Sequence, residues 1–418
     1  MYQGLSTDQA PPISVPFRFF LTAPFFAILI AITFFIYPQE AIFDRYSPIA
    51  VGVVHLFTLG ILTMIIFGAL QQMLPVLSGA VIKKPILFAN IVHTNLTIGA
   101  LSLSGGFIFS SSLLKSIGSI TLTLAFGVFF FVVTKLLFQV KYVNSTVTAM
   151  RIFSIVGIIT VLLGLHLIGS HLSGNFSSLH FDIVNLHIAF GIFGFALIIV
   201  MGVAFQVIPM FYVARDFPKD VQNKFPRVIF GMLILFGIFT FMKLEKDTVL
   251  NVLSILAIIF SYYGIVSLNN RRRPVFDITL WYWKLSLVSL IVGLVMFLID
   301  MPISTVSIVI AFGFLYSLLQ GMIYKIIPFL AWFHLSSKGY FDIPTLRGFI
   351  KEFDIKIQFY LYVSSVVFMI LATVFNQLFL YIAGGLFIVS NILLLVNMIT
   401  ATLSYKKIAN TDPMAAFK

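Results

Sequence analysis

The chain has 418 residues, 60% of them hydrophobic and 10% charged, a composition that excludes a soluble fold and predicts one membrane-embedded domain over residues 1–418. Cysteine is absent, which excludes disulfides, thiolate-bound iron–sulfur clusters and covalently attached haem. The net charge of +12 needs no nucleic-acid partner if most basic residues lie on one side of a membrane.

Twelve apolar runs follow one another along the chain, each long enough to cross a bilayer and separated from the next by a short polar joint. They are centred near residues 27, 63, 99, 126, 160, 197, 234, 258, 289, 317, 365 and 390. The pattern predicts an all-α polytopic membrane protein with twelve transmembrane spans. No small-residue cleavage site follows span one, so we expect it to be a retained helix rather than a cleaved signal.

The positions of the basic residues predict the orientation of the chain. With both termini in the cytoplasm, 22 of the 26 Lys and Arg residues lie at or toward the inner face. The four that lie outside are Arg45, Lys115, Lys243 and Lys246. Because cytoplasmic loops carry an excess of Lys and Arg, the sequence predicts a multi-pass, N-in and C-in protein of a bacterial-type inner membrane. Its surroundings are the lipid bilayer, and no nucleic-acid partner is expected.

A short pattern recurs in spans two, six and ten. A glycine is followed four residues later by a polar residue and three residues after that by a proline, in the stretches 68–75, 202–209 and 321–328. One such copy is ordinary helix packing, whereas three copies spaced four spans apart favour a structural repeat. The pattern predicts three pseudo-symmetric groups of four helices, approximately residues 17–140, 150–268 and 278–402.

The polar position of this repeat is occupied by Gln72, Gln206 and Lys325. One interpretation is an inner polar layer that receives an anion, a haem propionate or protons. The other is that Lys325 merely extends its ammonium to the nearby interface, because a buried ammonium is expensive in hydrocarbon.

Five of the seven histidines lie at the predicted outer ends of spans two, five and six, namely His55, His166, His171, His180 and His187. An imidazole at this depth can bind haem iron, copper or zinc, relay protons, or serve as a hydrogen-bonded structural group. His180 and His187, seven residues apart, share a helix face, but any metal site would combine different helices. His171 and His180 also flank a Ser/Gly/Asn loop, which favours their interpretation as hydrated interfacial residues over that as metal ligands.

Twelve spans in three groups of four, with a histidine near the outer end of span two, resemble subunit I of the haem–copper oxidase superfamily. The sequence is more similar to its small, divergent relatives, including the nitric-oxide-response membrane haem proteins of the NnrS type. The stretches that carry the resemblance are 55–75, 187–209 and 321–334. The resemblance implies that His55 is a haem ligand and that His187 occupies the copper position.

The chain departs from this family in spans seven and ten. The family's histidine pair in span seven and its two haem ligands in span ten have no counterpart, since residues 227–242 and 303–331 contain no histidine. A conventional oxygen reductase is therefore not expected.

What the resemblance still implies is one simplified site that binds haem b, with copper possible, in electron transfer or nitric oxide handling. The expected haem-binding residues are His55, His187 and then His166, with a bis-histidine arrangement between His55 and an outer histidine of span five or six. The expected metal ligands are His187, His171 and His180, and the expected partner is a redox protein or a quinol. Two other classes stay open: a twelve-helix transporter of a small solute, metal or haem, and a cofactor-free assembly subunit.

Overall fold

The computed structural model describes residues 10–413, and every regular element in that range is helical. Twelve helices in this range are long and apolar enough to cross a membrane, and each contains one of the predicted centres, which confirms the predicted number of spans. They are α1 (Ser14–Ile36), α2 (Pro48–Val76), α3 (Pro85–Ile108), α4 (Ser112–Gln139), α5 (Ser145–Ser173), α6 (His180–Tyr212), α7 (Lys219–Phe241), α8 (Asp247–Asn269), α9 (Ile278–Leu298), α10 (Ile303–Ser337), α11 (Glu352–Val374) and α12 (Phe379–Ala409).

Short polar residues fix several of the helix starts. Ser47 accepts a hydrogen bond from the backbone N–H of Ala50 at 2.9 Å, and Asn144 accepts one from Val147 at 2.8 Å. Such side chains satisfy backbone donors that have no partner in the first turn of a helix. These two caps therefore stabilise the first turns of α2 and α5.

The helices form two compact units. The first unit consists of Met73–Val275 and Leu290–Met301, and so contains α3 to α8 and the second half of α9. The second unit consists of Ala10–Gln72, Phe276–Ser289 and the chain from Pro302 onward, and so contains α1, most of α2, the first half of α9, and α10 to α12. Both units are built on interlocked aromatic side chains, such as Phe153 against Phe195 at 4.9 Å and Phe312 against Phe387 at 5.4 Å.

Helices α2, α6 and α10, which carry the sequence repeat, are the most buried of the twelve. Their apolar windows are 72%, 78% and 89% buried, against 28% to 56% for the other nine spans. Each also contains a π-helical segment, which spans Leu56–Thr63, Phe190–Ile198 and Val309–Tyr316, respectively. Each segment begins 19 residues before the repeat proline of its helix. The repeat thus extends beyond the Gly-to-Pro motif to a shared and uncommon backbone geometry.

The repeat glycines also share one packing role. A Cβ added at Gly68, Gly202 or Gly321 would lie 2.7, 2.5 or 2.6 Å from the Cβ of Phe19, Ala149 or Tyr282, respectively. The three contacted residues belong to α1, α5 and α9, the helix directly preceding the repeat helix in each case. Glycine is needed at these positions because any side chain would push the two helices apart.

We expect Gly202→Ala to destabilise the protein by about 1–2 kcal/mol, because the new methyl group overlaps Ala149. Gly231→Ala is the matched control: it lies in α7, and nothing is within 4 Å of its added Cβ. That variant should be neutral or slightly more stable, since alanine favours a helix over glycine. Thermal unfolding of both variants in one detergent measures the difference, and equal stabilities would contradict the close contact.

Candidate functional site

Two histidines each direct Nδ1 to a backbone carbonyl oxygen, one within its own helix and one on a neighbouring helix. Nδ1 of His55, on α2, lies 2.7 Å from the carbonyl oxygen of Val51, and Nδ1 of His187, on α6, lies 3.0 Å from that of Thr160. A carbonyl oxygen only accepts, so in the neutral imidazole Nδ1 carries the proton and Nε2 the lone pair. Histidines that bind metals commonly have this arrangement, because the carbonyl fixes the ring and its tautomer.

Both histidines lie at the entry to a π-helical segment. His55 directly precedes the segment of α2, and His187 lies three residues before that of α6. The imidazole of His187 rests against α5 at Gly164, where an added Cβ would lie 3.1 Å from its Cε1 atom. Thr160 and Gly164, four residues apart, thus provide both an acceptor and space for this ring.

The structure brings His171 and His180 together in a small aromatic cluster of the first unit. Their ring centroids are 5.7 Å apart with planes at 77°, and Phe176 lies 5.3 Å from His171 and 4.8 Å from His180. Nδ1 of His180 is buried and has no hydrogen-bond partner among the described residues. The cluster joins the end of α5 to the start of α6, so the intervening loop folds back on itself.

The remaining predicted ligands are placed separately. His166 is exposed on α5, and His187 is about 10 Å along α6 from His180, since seven residues separate them. Over residues 10–413, no group of three or more His, Asp or Glu side chains is arranged to hold a metal ion. The structure therefore offers a histidine pair and single histidines as ligands.

The three polar residues of the repeat differ in their surroundings. Gln72 is buried, and its Oε1 atom has no hydrogen-bond partner in the part of the chain that the structure describes. Gln206 is half-buried. Lys325 forms an ion pair with Asp277, and the two side chains are only 22% and 16% exposed. Lys325 thus has a specific partner that the sequence analysis did not identify.

Asp277 lies directly before α9 and is held by three groups. Besides Lys325, the backbone N–H of Thr279 donates to its carboxylate at 3.0 Å and the hydroxyl of Thr279 does so at 2.7 Å. Burial by itself would raise the pKa of Asp277, but the ammonium of Lys325 and the two hydrogen bonds from Thr279 outweigh it and lower this pKa. Asp277 is therefore ionised at neutral pH and caps the start of α9.

A network of buried polar side chains occupies the second unit and was not predicted. At its centre Tyr282 donates to Oε1 of Gln358, while Nε2 of Gln358 donates to Gln320 at 2.6 Å and to Ser390 at 2.8 Å. These residues are all buried and come from α9, α10, α11 and α12. One glutamine thus ties four helices together.

Further hydrogen bonds extend this network in both directions along α10. The pairs are Tyr316 with Asn391, Ser317 with Tyr362 at 3.3 Å, Tyr324 with Asn397 at 3.0 Å, and Thr305 with Thr373 at 3.0 Å. From Thr305 to Lys325, α10 rises about 30 Å, close to the thickness of the hydrocarbon layer. We call these pairs, the Gln358 group and the Lys325–Asp277 ion pair the polar column.

Tyr282→Phe should lower stability by about 1–2 kcal/mol, because it leaves the buried Oε1 atom of Gln358 without its donor. Tyr360→Phe, on the neighbouring helix α11, is the control: its side chain is 64% exposed. Unfolding of both variants in the same detergent provides the measurement. If Tyr282→Phe and Tyr360→Phe are equally stable, the hydrogen bond does not contribute.

Comparison of the chain with protein-family models finds no match, and comparison with curated proteins finds none either. What the structure establishes is the class: every regular element of residues 10–413 is helical, and twelve of these helices are suited to cross a membrane.

Proposed function

We propose that this protein binds haem b in the membrane, with His55 and His187 each a candidate ligand, and acts in electron transfer or nitric oxide handling. The observation that carries this proposal is that both imidazoles direct Nδ1 to a backbone carbonyl, His55 within its own helix and His187 on α5. Each directs Nδ1 to a backbone carbonyl at the entry of a π-helical segment, a kind of segment that is frequent at functional sites. A redox protein or a quinol would exchange electrons with the site.

The proposal includes three pseudo-symmetric groups of four helices with both termini in the cytoplasm. The common register of the π segments and the glycine contacts of α2, α6 and α10 with the preceding helix support the grouping. The distribution of Lys and Arg supports the orientation. This is the arrangement implied by the resemblance to haem–copper oxidase subunit I.

The residues present fit haem better than a complete copper centre. Haem iron needs one or two imidazole ligands, whereas oxygen-reducing copper sites of the resembled family combine three histidines. Bound haem would supply one-electron chemistry and, at an open coordination position, binding of nitric oxide. Copper, as a second metal, is proposed at His171 and His180, whose rings are 5.7 Å apart. Two bonds of about 2 Å from imidazole nitrogens to one ion place the ring centroids about 6 Å apart.

The experiment is an ultraviolet–visible spectrum of the purified protein, oxidised and dithionite-reduced, with iron and copper measured on the same sample. Sharp α and β bands on reduction, with stoichiometric iron, are expected. A featureless spectrum from folded protein that was expressed with ample haem would overturn the proposal.

A transporter is the second candidate, and the polar column favours it. Buried polar side chains are costly in a membrane and often mark a path for ions or solutes. Proteoliposomes containing the wild type should take up a proton, metal or solute. Loss of that uptake in Gln358→Leu would support this function. Transport together with a featureless spectrum would make it the better assignment.

A further inference from the structure

A cavity of about 690 Å³ lies in the first unit, where α6 and α8 end. It is lined by the loop that follows α6, by the last turns of α8 and by the segment after α8. Three basic residues line it, Arg215, Lys219 and Arg272, and one acidic residue, Asp216. The charged side chains of the lining therefore carry a net charge of +2.

Two hydrogen bonds hold the walls of this cavity together. The backbone N–H of Arg272 donates to the carbonyl of Val213 at 2.9 Å, and the hydroxyl of Ser267 donates to the carbonyl of Arg215. Phe217, buried beneath the loop, stacks on Phe260 of α8 with ring centroids 5.7 Å apart. The backbone positions of Arg215 and Arg272 are thus fixed relative to each other.

The cationic groups of the cavity form no ion pair with the carboxylates that the structure describes. Among the described residues, no carboxylate lies within the 4.0 Å of an ion pair from Arg215, Lys219 or Arg272. A guanidinium group binds phosphate oxygens through two parallel N–H donors, which makes paired arginines suited to a phosphate ester.

The remaining wall of the cavity is partly apolar. Tyr263 and Val266 of α8 line it together with Phe217, next to the polar Ser267 and Asn270. A ligand that combines a negative charge with hydrocarbon therefore matches this lining. Basic pockets between helices at a membrane surface bind anionic lipid headgroups in this way.

We propose that this cavity binds an anionic phospholipid, with its phosphate between Arg215 and Arg272 and its glycerol and first acyl carbons along Tyr263 and Val266. The site lies at the ends of two membrane spans, where lipid is always present, and its apolar wall would be of no use to free phosphate. None of the lining residues is a histidine, and the proposal stands whether or not haem is bound.

The test is titration of the purified full-length protein in detergent with short-chain phosphatidylglycerol, phosphatidylcholine or inorganic phosphate, read by native mass spectrometry. Phosphatidylglycerol should bind at least about tenfold more tightly than phosphatidylcholine. The variant Arg215→Gln/Arg272→Gln should weaken phosphatidylglycerol binding by at least about tenfold.

Arg271→Gln/Arg273→Gln is the matched control, because it removes the same charge from the adjoining segment without changing the lining of the cavity. This variant should bind phosphatidylglycerol like the wild type. If the control loses as much phosphatidylglycerol binding, the effect comes from general surface charge and the proposed site is wrong. Equal binding of both lipids would overturn the selectivity for an anion, and displacement of lipid by inorganic phosphate at equal concentration would overturn the assignment to a lipid. Unfolding temperatures of both double variants show that each is folded.

Discussion

Replacing His55 with alanine should lower the haem content of the purified protein by at least about tenfold. Changes to groups that only orient a metal ligand already weaken metal binding by 10–100-fold, and loss of the ligand itself is expected to cost no less. His187→Ala is expected to have an effect of the same kind. The measurement is the ratio of reduced α-band absorbance to protein, with iron determined in parallel.

His93→Ala is the control for both variants. His93 lies on α3, which is not one of the three repeat helices, and it is not among the expected ligands. Its haem content should equal that of the wild type. Unchanged haem and an unchanged spectrum in His55→Ala would remove His55 from the ligand set, and the same result in His187→Ala would remove His187. If His93→Ala lost as much haem, the loss would reflect general instability instead of ligation.

A second large effect is expected for Lys325→Met, which should destabilise the protein by about 2–3 kcal/mol. The substitution leaves the mostly buried carboxylate of Asp277 without its counter-charge, and removing one partner of a buried ion pair is costly. The value is set below that of a fully buried pair because both side chains keep some contact with solvent. Thermal or denaturant unfolding in detergent at neutral pH measures it.

The double variant Lys325→Met/Asp277→Asn tests the cause, because it removes both charges. Its stability should return to within about 1 kcal/mol of the wild type. A pH series gives a second test. The pKa of Asp277 in the folded protein lies below the ordinary value of 3.8, so the ion pair stabilises the protein above that pH and its contribution is lost as the pH falls through the folded value. If Lys325→Met is as stable as the wild type at neutral pH, the ion pair does not stabilise the protein. The Lys325 ammonium then only extends to the membrane interface.

The number and positions of the spans could be predicted because transfer into a bilayer depends on the hydropathy of each stretch of about 20 residues, a local property. The repeat could also be predicted, because each Gly-to-Pro motif is a short local pattern in one helix. The π segments were not predicted, since nothing in a run such as Leu56–Thr63 distinguishes it from an ordinary apolar helix.

The polar column was missed for a different reason. Tyrosines 282, 316, 324 and 362 count as hydrophobic in a composition analysis, and their hydroxyl groups matter only once partners on other helices are known. A signal was nevertheless present, since Gln320, Gln358 and Asn391 interrupt apolar runs, where an amide side chain requires a hydrogen-bond partner.

The sequence by itself determined that residues 10–413 contain twelve helices suited to cross a membrane and that five of the seven histidines lie near the ends of three of them. Only the tertiary structure decided which side chains meet: Lys325 with Asp277, His187 with the carbonyl of Thr160, and His171 with His180. The physical reason is that these contacts join residues distant in sequence or on either side of a loop. Their geometry depends on how helices pack, and hydropathy, which sums over one helix at a time, carries no information about that packing.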